Sequence, residues 1–294
     1  MAEFRYIRPT NVDETLALLN EPDVKSRPLA GSTDLALLLR ADPHLCDRVV
    51  DISLIPELHR IERRGDQVTI GAAATFSEVL ENPLVQQTAP VLVQACRQVG
   101  AVQIRNMGTL GGNVCNAAAC ADSLPALVCL DAVAHVRMPD GEHDWTVSDL
   151  VTSPNHTIVP PGGLLVSFRY RIPLPGSRSV FLKLGRRNAM AISRLTMAVL
   201  GRLDEQGRVA EVRIAAGAAS PRFSRFKSAE ESLIGLLPTA ECYAAAARLV
   251  VEEMIRITGL RWSTEFKGPA LEAMTCRALA QVFAAPVSAL QEGV

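Results

Sequence analysis

Long hydrophobic runs are missing from this 294-residue chain. No window comes near 18 consecutive apolar residues, so no membrane-spanning helix is expected. The opening MAEFRYIRPT carries charges where a secretory leader needs an apolar stretch, which points to a cytoplasmic protein. An excess of one charge is missing too: 30 Lys and Arg nearly balance 31 Asp and Glu. Without a concentrated positive face, nucleic acid is not an expected partner. Cysteine pairs are absent, since Cys46, Cys96, Cys115, Cys120, Cys129, Cys242 and Cys276 form no CxxC, and no two of the five histidines stand three or four apart. A disulfide framework, a zinc site or an iron–sulfur cluster within this chain is therefore not expected. Aromatics are few (two Trp, three Tyr, eight Phe) and give no sign of an aromatic-rich interface. Any redox-active group is then a borrowed one, an organic cofactor.

What is present is enough apolar material, 48% of residues against 21% charged, for a sizeable core in two or three units. Thr10-Asn11-Val12-Asp13 is an acceptable capping start for a helix carrying Leu16, Leu18 and Leu19. Arg27–Ala30 reads as a strand that breaks at Gly31-Ser32-Thr33-Asp34 into a helix carrying Leu35, Leu38 and Leu39. Val49–Ile52 reads as another strand. Further on, Gln67–Ala72 is strand-like, Thr75-Phe76-Ser77-Glu78 is a capping box, and a helix from Pro90 ends near Gly100. Residues 100–123 are small and apolar with little amphipathic period, suggesting backbone packed against something. Strict alternation over Val166–Ile172 predicts a half-buried strand. Pro173–Ser179 is the best boundary. Beyond it come a hairpin around Asp204–Gly207, a helix through Ala246, Leu249, Val250, Met254 and Ile257 that stops at Gly259, and another starting at Pro269.

Two small-residue motifs could carry chemistry. In Leu29-Ala30-Gly31-Ser32-Thr33-Asp34-Leu35, a glycine, two hydroxyls and consecutive amides at a helix start suit phosphate oxygens; an ordinary capping turn is the other reading. In Gln103–Asn113 (QIRNMGTLGGN), three glycines within five positions make a second compact nest of donors, where a tight turn or bulge would explain one glycine but not three. Two such loops suit a diphosphate held from both sides, hence a dinucleotide, and neither fits GxGxxG. Asp122 either accepts hydrogen bonds from a ligand's ribose or amide, or caps the following helix. Lys183 either stands near a flavin or lies on a solvated strand edge. Cys115 and Cys120 read as small buried thiols, and His135 as structural.

Taken together, these residues resemble the FAD-binding medium subunit of the molybdenum hydroxylases, the xanthine dehydrogenase and carbon monoxide dehydrogenase family. Phe4-Arg5-Tyr6 with Pro9, LAGSTDL, Val50–Ser53 with Ile55–Leu58, and QIRNMGTLGGN fall in that family's order. Lys183–Ile192, Ala215–Gly217 and Ala229-Glu230 extend the resemblance over essentially the whole chain. It implies an α+β fold: FAD-binding subdomains at residues 1–56 and 57–175, then a C-terminal antiparallel sheet with helices at 176–294. It implies noncovalent FAD here, with molybdopterin and [2Fe–2S] clusters only on a large and a small partner chain, and NAD or another acceptor taking the electrons. The implied cofactor-binding set begins with Arg27 and Leu29, Ala30, Gly31, Ser32, Thr33, Asp34 and Leu35. Thr109, Gly111, Gly112 and Asn113 would share the pyrophosphate. Ile104 and Met107 would line the channel, Asp122 would lie toward the adenosine or ribitol, and Leu165 and Lys183 near the isoalloxazine. No residue of this chain would be catalytic for substrate hydroxylation, and none would bind metal.

Three departures stand out. Ser32 replaces a usual second glycine, tolerable if its φ is negative. Ala119-Cys120 stands where Ser-Pro is common. Ala191 precedes Ile192 where an aspartate often does, which weakens an assignment to NAD. Alternatives are a self-sufficient flavin oxidoreductase, which would need its own substrate base, and a nucleotide-binding module without redox chemistry.

Overall fold

The computed structural model describes residues 4–187 and 189–284. The last ten residues of the expected C-terminal region, and Asn188, lie outside the described residues. The chain opens with β1 (Arg5–Ile7), α1 (Val12–Leu19), β2 (Ser26–Leu29), α2 (Leu35–Ala41) and β3 (Arg48–Asp51). The three strands form a parallel sheet in the order β1-β3-β2, as helical crossovers require. Asn11 caps α1 by accepting from the Glu14 amide, and α1 buries Val12 and Leu16 in a cluster with Val50 and Ile52. The leucine face of α2 behaves differently. None of its residues is buried, and Leu35 and Leu38 line a cleft instead.

The middle of the chain holds β4 (Ile61–Arg64), β5 (Gln67–Gly71), α3 (Phe76–Glu81), α4 (Pro83–Thr88), α5 (Pro90–Arg97), α6 (Val102–Met107), α7 (Leu110–Asn116) and α8 (Ser123–Cys129). It continues through β6 (Val133–Met138), β7 (Gly141–Thr146), α9 (Val147–Leu150), the short pair β8 (Val151–Ser153) and β9 (His156–Thr157), and β10 (Leu164–Arg171). Five strands pair antiparallel in the order β4-β5-β10-β6-β7. The capping box at Thr75 and Glu78 is present in full. β10 lies at the centre of its sheet with a bulge between Leu165 and Ser167, so Ser167 and Phe168 are both buried and the expected strict alternation fails. The segment expected to be merely packed backbone holds α6 and α7. Their short length, and in α7 the pair Gly111 and Gly112, erase the amphipathic signal that would have revealed them.

The last part holds β11 (Arg178–Gly185), β12 (Ser193–Leu203), β13 (Val209–Gly217), α10 (Lys227–Glu231), α11 (Ala240–Thr258) and α12 (Thr264–Phe283). Its antiparallel sheet, β11-β12-β13, is apolar on both faces. Ala198, Leu200 and Ala215 join the core of the middle region, while Met197, Val199 and Ile214 pack with α10–α12. Helix α12 starts at Thr264, five residues before the expected start, and carries Pro269 inside it. Ile257, expected on the buried face of α11, is exposed. Among the described residues no helix is long and apolar enough to cross a membrane.

Candidate functional site

Two adjoining cavities, of about 580 and 300 Å³, share Arg27, Pro28, Ala30, Gly112 and Cys115 and form one cleft between the first sheet and the middle region. Its volume is of the order that small-molecule and cofactor sites occupy. Leu29, Gly31, Ser32, Thr33, Asp34, Leu35, Ile104, Thr109, Gly111, Asn113 and Leu165 also line it. The loop after β2 and the segment entering α7 are thus brought face to face, as their order in the sequence suggested.

The two segments contribute different things. After β2, the amides of Ser32, Thr33 and Asp34 find no acceptor among the described residues. They are donors awaiting a ligand or solvent. Ser32 has φ +64°, not the negative value on which its tolerance was premised; this is the left-handed region, where a side chain costs energy and glycine does not. In the second segment every amide from 110 to 113 is already used. Leu110 and Gly111 donate to the Ala74 and Ala72 carbonyls at 2.9 and 2.8 Å, and Asn113 to the Thr109 carbonyl at 3.0 Å. Gly112 donates to Thr109 Oγ1, the cap of α7, at 3.0 Å. Of the expected second nest, the amides of 110–113 are taken up internally, while the Thr109 amide, at the cleft, has no acceptor among the described residues.

Its glycines serve close approach. A Cβ on Gly111 would lie 2.6 Å from the Ala72 carbonyl oxygen, and one on Gly31 would lie 2.0 Å from that of Met107. Gly31 thus lets the first loop rest on the backbone end of α6. Asn116 ties the two further, donating to Asp34 Oδ1 at 3.0 Å. Met107 is present as backbone against Gly31, and it is not among the residues lining the cleft.

Asp122 and Lys183 also lie off the cleft. Lys183 is not on a solvated strand edge: its Nζ lies 2.6 Å from Asp122 Oδ2, with the two side chains 8% and 7% exposed. It also donates to the Gln98 carbonyl at 2.9 Å, and Ser193 Oγ donates to the other Asp122 oxygen at 2.5 Å. Burial pushes the Asp122 carboxyl up from its usual range, with the Lys183 and Ser193 hydrogen bonds pulling against it. Asp122 therefore makes no helix cap; its side chain accepts no amide of α8. A lysine so paired is largely neutralised locally, so it is not a free cation for a flavin ring. Cys115 is exposed in the cleft rather than buried, whereas Cys120 is partly covered.

Sequence reasoning missed the far wall, formed by Thr157, Val159, Pro160, Pro161, Gly162 and Gly163, together with Lys25. The Pro-Pro-Gly-Gly run was a turn signal that could have found it. Gly162, at φ +82°, closes against Asn20, whose side-chain amide donates to its carbonyl at 2.9 Å.

A cleft with three free amides on one wall, two cations (Lys25, Arg27) and apolar ends is arranged for a phosphate-bearing ligand with flat apolar parts. The family described as the FAD binding domain in molybdopterin dehydrogenase matches residues 2–175. The chain belongs to that family. A second match, to the CO dehydrogenase flavoprotein C-terminal domain, covers residues 180–282. The chain is 29% identical to the xanthine dehydrogenase FAD-binding subunit of Escherichia coli O157:H7, over 97% of this chain and 98% of that one. It is 26% identical to the carbon monoxide dehydrogenase medium chain of Hydrogenophaga pseudoflava, over 94% and 96%. A solved carbon monoxide dehydrogenase from that organism superposes with TM-score 0.88 at 25% identity, over 96% and 98%. This molybdopterin-dehydrogenase flavoprotein is thus an oxidoreductase subunit with the α+β fold of that family, and FAD is its cofactor. The residues present fit the group, since the free amides would meet phosphate oxygens and the glycine contacts keep the opposite wall within reach.

Proposed function

We propose that this chain is the electron-transfer flavoprotein subunit of a molybdenum hydroxylase complex, holding FAD without a covalent bond. In that reading electrons come from [2Fe–2S] clusters on a small partner chain, hydroxylation occurs on a large molybdopterin-bearing chain, and NAD or another acceptor receives the electrons. When bound, FAD supplies the change from one-electron to two-electron transfer. The observation that carries the reading is the set of unpaired amides at Ser32, Thr33 and Asp34 inside the cleft.

The chain's own residues bind and position. Ser32, Thr33 and Asp34 donate to the pyrophosphate, and Arg27 adds positive charge beside it. Gly111 and Gly112 present a wall without side chains, Thr109 and Asn113 frame it, and Ile104 and Leu165 supply apolar surface at the ends. Asp122, at the start of α8, and Lys183, on β11, act through the elements they join, as positioning residues. Exposed Leu37 and Leu38 on α2, with Val102 and Met107 on α6, support a partner chain seated beside the cleft. The division at residues 56 and 175 and a place in the cytoplasm belong to the same proposal.

The test is acid release of cofactor from the purified chain, identified chromatographically against FAD, FMN and NAD. Near-stoichiometric free FAD is expected, with a large and a small subunit co-purifying from the native source. A folded chain that retains no FAD after reloading with excess would overturn the reading.

A further inference from the structure

Ser193 belongs to two places at once. Its hydroxyl donates to Asp122, and it also lines a separate cavity of about 370 Å³ that shares no lining residue with the FAD cleft. Three cations border that cavity: Arg194 at the start of β12, Arg261 in the turn between α11 and α12, and Lys267 in α12. None of the twelve lining residues is acidic. None of the three cations has an ion-pair partner among the described residues, although Arg213, Arg225 and Lys183 do.

Neutral groups hold each cation in place. Lys267 Nζ donates to the Ala218 carbonyl at 2.6 Å, leaving two N–H groups. Arg261 Nε donates to the Thr258 carbonyl at 3.0 Å, and the Arg194 guanidinium lies 5.8 Å from the centre of the Phe266 ring. The terminal nitrogens of both arginines make no hydrogen bond among the described residues. Burial pulls the Lys267 ammonium below its usual range, and the positive charges of Arg261 and Arg194 pull it further. Like charges gathered around one space repel, and no acidic side chain among the described residues offsets them. Two planar guanidinium forks and an ammonium match an anion with several tetrahedrally arranged oxygens better than a single carboxylate.

We propose that this cavity is an anion site for a phosphate or diphosphate group, separate from the FAD cleft. The group arrives either as inorganic phosphate or as the phosphate of a nucleotide, which present the same oxygens. The site stands on these side chains alone and does not depend on the electron-transfer reading.

The test is calorimetric titration of the FAD-loaded full chain at low ionic strength with orthophosphate, pyrophosphate and ADP. Loading keeps ADP out of the FAD cleft, and an unchanged flavin spectrum verifies it. Pyrophosphate is expected to bind more tightly than orthophosphate. Arg261→Gln and Lys267→Gln should each weaken it by about tenfold, the loss of one charge-assisted hydrogen bond. Arg256→Gln, whose guanidinium lies beside Glu253 outside the cavity, should change nothing. ADP binding more tightly than pyrophosphate, with the same sensitivity, assigns the site to a nucleotide; equal binding assigns it to the free anion. The proposal is overturned if none of the three anions binds. It is overturned equally if pyrophosphate binding survives in Arg261→Gln with circular dichroism and FAD content intact, and that exposed residue carries the test should Lys267→Gln not fold.

Discussion

The loop at residues 30–34 and the segment at 107–113 are both runs of small residues leading into a seven-residue helix, yet they meet the cleft in opposite ways. The first leaves the amides of Ser32, Thr33 and Asp34 without an acceptor among the described residues. The second uses every amide from Leu110 to Asn113 internally and brings mainly closeness, with only the amide of its cap, Thr109, left over. Glycine in the first supports one contact, Gly31 against the Met107 carbonyl, whereas Gly111 in the second sits on the backbone of Ala72. Glycine content alone therefore does not distinguish a donor nest from a packing surface; the destination of each N–H does.

The comparison can be broken most severely at the point where the loops touch. Gly31→Ala places a Cβ 2.0 Å from a backbone oxygen that has no rotamer to escape into. It should cost about 3 kcal/mol and abolish FAD retention, read by thermal melting and bound-flavin absorbance. Next comes a contrast within the second segment. Gly111→Ala meets the Ala72 backbone and should cost about 2 kcal/mol. Gly112→Ala meets only Thr109 Oγ1, so the loss of a cap of about 1 kcal/mol is roughly offset by helix propensity. Equal losses in the two variants would contradict the assignment of this segment to packing.

The third test addresses the base of the first loop, where Asp51 pairs in register with Leu29. Burial would raise the Asp51 carboxyl, but hydrogen bonds from Ser53, Tyr6 and Arg8 outweigh it and hold it at about 2. A depressed carboxyl stabilises the fold fully above its unfolded value near 3.9 and loses that contribution as pH falls toward 2. Wild type should exceed Asp51→Asn by about 1–2 kcal/mol at pH 7, with the gap closing between about pH 4 and 2 in denaturant titrations. A gap independent of pH would show that the carboxylate's charge is not what matters. The smallest effect has the opposite sign. Ser32→Gly relieves a left-handed serine and should raise stability by about 0.5–1 kcal/mol while leaving FAD affinity unchanged.

Much of this was legible in the sequence because local chemistry decided it. The Asn11 cap, the Thr75–Glu78 box, the Asp204 hairpin and the stop at Gly259 are short-range events written in a few residues. The order of the two loops also located most of the cleft. What was not legible depends on partners distant in sequence. Lys183 reads as an edge residue until β11 is laid beside Asp122, 61 positions away. Ser32 takes its left-handed φ beside Gly31, whose neighbour in space is the Met107 backbone, distant in sequence. Helices α6 and α7 escaped because six and seven residues are too few to display an amphipathic period, and the 157–163 wall because a turn signal says where a chain bends and not what it then covers.

The sheet β11-β12-β13 has no outside. One face completes the core around α5 and α8, the other the core under α11 and α12, and the Phe181 amide donates to Gln94 across the first of these at 2.7 Å. Melting is then a single cooperative event, visible in calorimetry as one endotherm with matching van't Hoff and calorimetric enthalpies. A fragment ending at residue 175 would expose an apolar slab and strip Asp122 of both side-chain partners, Lys183 and Ser193. Although two family descriptions divide this chain near residue 180, its packing does not: one sheet completes the cores on both sides.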